Sequence, residues 1–152
     1  MSKTKIAVIG VGNISNAHIS AYQKNPDVEL YAFCDINETQ LKAMGEKYGV
    51  TRLYTDKDEM LQEQELDAVS VCTWNSAHAP CAIAALNAGK HVLCEKPMAT
   101  SAQEAQAMLD AARKNNKSLS DLIFRIDLQM DTTKVIDNCD IAQDVSSQLM
   151  EY

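Results

Sequence analysis

Four groups of residues in this chain carry functional groups at spacings suited to chemistry on a bound ligand. The first is "GVGNIS", in which Gly10 and Gly12 follow an apolar run and precede a helix-like segment. Glycines at this spacing permit a tight turn at Gly10 and let the backbone at Gly12 approach a pyrophosphate lying on a helix N-terminus. Ser15 stands where a third glycine would serve helix–strand packing, and a small serine suits that place. Asn13 and Ile14 complete the candidate loop. The second is Asp35, 23 positions after Gly12 at the end of the next apolar run. An acid there accepts hydrogen bonds from adenosine ribose hydroxyls. It would repel a 2′-phosphate, and "DIN" supplies no arginine to neutralise one, which favours NAD over NADP. Read instead as a helix cap, Asp35 would serve only the segment that follows it.

The other two groups lie later in the chain. "CTWNSAH" presents Thr73, Trp74, Asn75 and His78, and "CEKP" presents Glu95, Lys96 and Pro97. An apolar run that ends in two opposite charges is costly unless solvent or a ligand meets them. Lys96 can donate to a substrate hydroxyl or carbonyl and can act in proton transfer. Glu95 can orient that lysine or a ribose, and Pro97 fixes the chain direction in either a trans or a cis peptide. Taken alone, Glu-Lys-Pro also reads as a solvated turn, and a histidine such as His78 at a helix start is more often structural.

The elements that must position these groups follow from the apolar pattern. "KIAVIG" (5–10), "VELYAFC" (28–34), "DAVSVCT" (67–73) and "HVLC" (91–94) are nearly continuous, as in strands covered on both faces, with "TRLYT" (51–55) a weaker fifth. Helix punctuation separates them. Asn37 can cap 38–48, with Gly49 after its end. Asp56 precedes a segment with Glu59 as its capping-box partner. Ser76 opens a helix with Pro80 in its first turn and Gly89 beyond its last, and Ser101 with Glu104 starts 102–116. Strict β-α alternation predicts a doubly wound parallel sheet in three α/β/α layers, connected by right-handed crossovers. "SLSDLIF" (118–124) is a candidate sixth strand. In such sheets ligands bind beyond the carboxyl ends of the strands, which brings all four groups to one crevice. Both charges at 95–96 are then expected to face that crevice.

Composition narrows the function classes. The chain has 152 residues, enough for one domain that buries roughly 70% of its unfolded surface. No apolar run reaches the ~20 residues of a membrane span. "MSKTKIAVIG" enters a strand without a signal-peptide pattern, so a cytoplasmic location is expected. The five cysteines have no metal-ligand spacing and read as buried thiols, so no metal is expected. Net charge is −7. Residues 118–152 hold seven acids against Arg125 and Lys134, leaving −5 there and −2 on the first 117. No basic cluster offers a nucleic-acid footprint.

Taken in order, Gly10-x-Gly12, Asp35, Thr73-x-Asn75-x-x-His78 and Glu95-Lys96-Pro97 resemble the glucose–fructose oxidoreductase/inositol dehydrogenase family, called Gfo/Idh/MocA. The likeness covers about residues 3–117, and Trp74 replaces the family's usual proline. The resemblance implies a Rossmann-type dinucleotide-binding domain over 1–117 and NAD as cofactor. It also implies hydride transfer between the nicotinamide and a sugar, cyclitol or related alcohol. Lys96 would be the catalytic residue beside nicotinamide and substrate. Gly10, Gly12, Asn13, Ile14, Asp35, Thr73, Asn75, His78, Glu95, Lys96 and Pro97 would be the cofactor-proximal set.

Family members continue into a substrate domain whose Asp and His complete the catalytic set. Here the only histidines are His18, His78 and His91, and neither His18 nor His91 is placed to substitute. Residues 118–152 faintly echo the family's linking strand and helix, with Cys139 and Ala142 where glycines are expected. They are read as a diverged or truncated remnant of the link to a missing substrate domain, with a short native C-terminal extension as the alternative. The expectation is the cofactor-binding half of an oxidoreductase, with a non-catalytic dinucleotide-binding module or a truncated product as the alternatives. A sheet edge and crevice left bare by the missing half would favour self-association into a homo-oligomer.

Overall fold

A computed structural model of the chain describes residues 3–121. The expectations for a linking helix around Cys139 and for the acidic tail lie outside the described residues. The elements run β1 (Thr4–Ile9), α1 (Ser15–Lys24), β2 (Val28–Cys34), α2 (Glu38–Tyr48), β3 (Leu53–Tyr54), α3 (Lys57–Met60), β4 (Ala68–Val71), α4 (Asn75–Asn87), β5 (His91–Cys94), α5 (Ala102–Asn115) and β6 (Leu119–Asp121). All six strands are parallel and form one sheet in the order β3-β2-β1-β4-β5-β6. The expected doubly wound fold is present. The chain reverses its direction of travel across the sheet between β1 and β4, and this switch point sets where the loops after those strands open.

Side chains of the central strands divide between two cores. Val8 and Phe33 pack with Ile19 of α1 and with Leu41 and Met44 of α2 on one face. Ala7, Ile9, Val69 and Val71 pack with Met60, Ala82, Leu86 and Met108, from α3, α4 and α5, on the other. Alternation within β2 is interrupted, because its register with β1 jumps between Ile6 and Ala7, whose partners are Leu30 and Ala32. Tyr31 and Ala32 therefore both join the α3–α5 face. No helix among the described residues is long and apolar enough to cross a membrane.

Local chemistry explains most element boundaries, and it corrects three. Asn37 caps α2 by accepting from the Gln40 amide at 3.1 Å, and Gly49 ends that helix at φ 72°. Ser101 accepts from the Glu104 amide at 3.2 Å, while the Glu104 carboxylate reaches past the cap to the amide and hydroxyl of Thr100. Those bonds hold the Glu104 carboxyl below the usual carboxylate range.

The first correction concerns α3, which is one turn only. Asp56 accepts from the Asp58 amide, so the expected box with Glu59 does not form. The chain leaves the helix because Glu63 is held elsewhere: its carboxylate accepts from the hydroxyls of Tyr31 and Tyr54, and its carbonyl from Lys90 Nζ at 2.7 Å. Second, α4 starts at Asn75, one residue before Ser76, so Pro80 falls in the second turn. The carbonyl that loses its partner there belongs to the exposed Ser76, at a helix start open to water. Third, the weak strand "TRLYT" contracts to the two residues of β3, at the sheet edge.

Gly45 supplies a test of the packing. A Cβ there would lie 2.9 Å from both methyl carbons of Leu53 and 2.9 Å from the Val50 carbonyl oxygen. Replacing a helical glycine by alanine ordinarily gains ~0.5–1 kcal/mol. Overpacking costs ~1–3 kcal/mol, and here one obstacle is backbone that cannot rotate away. Gly45→Ala is expected to lower stability, by ~1–2 kcal/mol on balance. A gain in stability in urea titration would show that α2 shifts freely from β3.

Candidate functional site

The glycine loop is built against the end of β4. Gly10 has φ 86°, and a Cβ on it would fall 2.7 Å from the Cys72 carbonyl oxygen and 2.8 Å from Thr73 N. Its own amide donates to the Cys34 carbonyl at 2.8 Å, which ties the loop to β2. Gly12 is different: among the described residues, its chain neighbours aside, no atom lies within 4 Å of a Cβ built there. Ser15 is fully buried, and its hydroxyl donates to the Gly12 carbonyl at 2.6 Å. The serine at the third glycine position thus closes the loop while remaining small. Asn16 joins the start of α1 to α2 by accepting from Lys47 Nζ and from the Tyr48 hydroxyl. No side chain caps α1.

Asp35 bridges the glycine loop and the turn into α2. Its Oδ2 accepts from the Val11 amide and its Oδ1 from the Asn37 amide, both at 2.8 Å. The cap on α2 is Asn37, not Asp35, and each Asp35 oxygen retains a second lone pair. Ile36 beside it is 92% exposed, Trp74 is 86% exposed and Ile14 is 45% exposed. Among the described residues these are the exposed large hydrophobics, and all three follow the carboxyl ends of β2, β4 and β1.

His78 laces the remaining two loops together. The ring is buried, with Nε2 3.0 Å from the Thr73 carbonyl oxygen and Nδ1 2.7 Å from that of Pro97. The Lys96–Pro97 peptide is cis. Lys96, Pro97, Trp74 and Asn75 are exposed, and Thr73 is half-buried.

Glu95 departs from the expectation that both charges face the crevice. It is 6% exposed and turns inward, where Oε1 lies 2.8 Å from His18 Nε2 while Oε2 accepts from the Lys96 amide at 3.0 Å. Its partners thus include the lysine backbone but not the lysine ammonium. His18 Nδ1 lies 3.0 Å from the Ser70 hydroxyl. Sequence reasoning missed His18 and Ser70. The only available signal was that each is a polar residue on a face otherwise made for burial.

Cys34, Cys72, Cys81 and Cys94 are buried, as expected. Burial pushes the thiols of Cys34 and Cys72 up to about 12, so neither is a thiolate at neutral pH. Among the described residues no group of three or more His, Cys, Asp or Glu could hold a metal ion.

Residues 4–121 match the family described as "Oxidoreductase family, NAD-binding Rossmann fold", GFO_IDH_MocA. The chain belongs to this family. It is 41% identical over 120 residues to the D-glucoside 3-dehydrogenase of Escherichia coli K12, covering 78% of this chain and 34% of that protein. It is 36% identical over 110 residues to the myo-inositol 2-dehydrogenase of Thermotoga maritima, covering 72% and 33%. Among solved structures it resembles the WlbA dehydrogenase of Bordetella pertussis in complex with NADH and UDP-GlcNAcA. The TM-score is 0.75 at 32% identity, over 79% of this chain and 37% of that one. The chain spans about a third of the length of these relatives.

Within this NAD-binding Gfo/Idh/MocA domain, the loops after β1, β2, β4 and β5 are linked by hydrogen bonds through Asp35, His78 and Glu95. Two substitutions separate the lacing from the surface beside it. His78→Ala removes the ring that lies between the Thr73 and Pro97 carbonyl oxygens and leaves at least one of them without its donor, at an expected cost of ~1–3 kcal/mol in urea unfolding. Trp74→Ala is expected to change stability by less than ~0.5 kcal/mol. Equal effects would contradict the structural role of His78.

Proposed function

We propose that this chain is the cofactor-binding part of an NAD-dependent oxidoreductase acting on an alcohol carbon of a sugar, cyclitol or related polyol. The observation that carries the reading is Gly12, whose missing side chain leaves space that no other described residue fills, whereas Gly10 is glycine because of packing. A backbone left bare on its outer side, at the start of a helix without a side-chain cap, suits a pyrophosphate. Gly10, Gly12, Asn13 and Ile14 would hold that group. Asp35, with a lone pair spare on each oxygen, would take the ribose hydroxyls. Thr73, Asn75 and Pro97 would border the nicotinamide end, with His78 and Glu95 fixing their loops from beneath.

When bound, NAD supplies the hydride acceptor. The chain's own part would be to orient the substrate: exposed Lys96 would donate a hydrogen bond from Nζ to the substrate oxygen and, in its neutral form, would accept the hydroxyl proton. The relatives named for inositol and glucoside oxidation support a polyhydroxylated substrate. The carboxylate of Asp35 favours NAD over NADP, since the residues after it, Ile36, Asn37 and Glu38, offer no cation to a 2′-phosphate.

Calorimetric titration tests the reading. NAD is expected to bind at least about tenfold more tightly than NADP, a difference of ~1.4 kcal/mol. Asp35→Ala should narrow that gap. Gly12→Ala should weaken NAD without lowering the melting temperature, because its methyl group meets only ligand space. Trp74, the chain's single tryptophan, gives an independent signal through its fluorescence as NADH is added. Absence of binding by folded protein would overturn the proposal.

A further inference from the structure

The buried carboxylate of Glu95 raises a question that cofactor binding does not answer. A carboxylate 6% exposed is costly unless both of its oxygens are engaged. One oxygen is met by His18 of α1, the helix that opens directly after the glycine loop. The other accepts from the backbone amide of Lys96. Glu95 is further pinned where its own amide donates to the Val71 carbonyl at the end of β4.

His18 is itself fixed on its far side. With Nε2 carrying the proton toward Glu95, Nδ1 accepts from the hydroxyl of fully buried Ser70, which also lies 3.6 Å from Cys72 Sγ. The Tyr22 ring stands edge-on to the imidazole, at 6.3 Å between centroids. A continuous set of contacts therefore runs Ser70–His18–Glu95–Lys96 amide, from the middle of β4 through α1 to the lysine.

We propose that His18 is a positioning residue that fixes the backbone of Lys96 through Glu95 and so ties the lysine to the helix beneath the glycine loop. His18 is itself buried, at 8% exposure, and would act through Glu95. Without its N–H, the inner oxygen of Glu95 has no partner, the carboxylate turns toward water, and the Lys96 amide loses its acceptor. The nicotinamide end of the site would loosen while the pyrophosphate and adenosine end, held by Gly12 and Asp35, would not. This consequence for ligand binding rests on the cofactor reading above; the link from His18 to Lys96 does not.

The experiment compares wild type, His18→Leu and His18→Gln. Gln retains an N–H donor at similar reach, so it keeps the test open should the leucine variant fold poorly. Amide hydrogen exchange is expected to rise at least tenfold at Glu95, Lys96 and Met98 in His18→Leu, with residues 10–14 unchanged, and to return toward wild type in His18→Gln. Affinity for NAD should fall at least tenfold in His18→Leu, while affinity for ADP-ribose, which lacks the nicotinamide, is unchanged.

Exchange that rises throughout the chain, or nowhere, would overturn the inference. So would equal weakening of NAD and ADP-ribose, or NAD binding by His18→Leu as tight as by wild type. Failure of wild type to bind NAD would overturn the cofactor reading alone, and the exchange pattern would then decide the role of His18.

Discussion

The approach of β1 to the end of β4 leaves no room for a side chain at Gly10, and the site depends on that constraint. With a Cβ only 2.7 Å from the Cys72 carbonyl oxygen, any other residue would push the glycine loop away from the sheet. The same glycine has φ 86°, a conformation that L side chains rarely adopt. Close contact at this point brings Gly12 and α1 over the switch between β1 and β4. The loops after β2 and β5 then border the same edge.

Polar groups at that edge and beneath it do the joining, with Asp35 half-buried and His78 and Glu95 buried. Asp35 connects the β1 loop to the β2 loop, His78 connects the β4 loop to the β5 loop, and Glu95 connects the end of β5 to α1. Each is matched by hydrogen-bond partners, as burial of polar groups requires. A fully matched polar network specifies one arrangement, because any slip leaves a group without its partner. The exposed surface above these links is correspondingly mixed, with charged Lys96 and the apolar side chains of Ile14, Ile36 and Trp74.

Much of the architecture was readable because its causes are local. Nearly continuous apolar runs mark strands buried on both faces, and Asn37, Ser101 and Gly49 act through atoms a few residues away. The misread extent of α3 arose where distant atoms intervene. The end of α3 is set by Tyr31, Tyr54 and Lys90 drawing Glu63 out of the helix, and no periodicity within residues 57–65 reveals that.

The sequence by itself determined the alternating α/β fold and the residue types assembled at the carboxyl edge of its sheet. It did so because strand burial, helix capping and glycine turns depend on neighbours in the chain. Only the tertiary structure decided the direction of each charge at the end of β5. Glu95 turns inward and Lys96 outward because a histidine 77 residues earlier occupies the space beneath the strand and offers the carboxylate a partner. A charge's orientation follows from what lies within hydrogen-bonding reach, and that reach is set by the packing of α1 on the sheet.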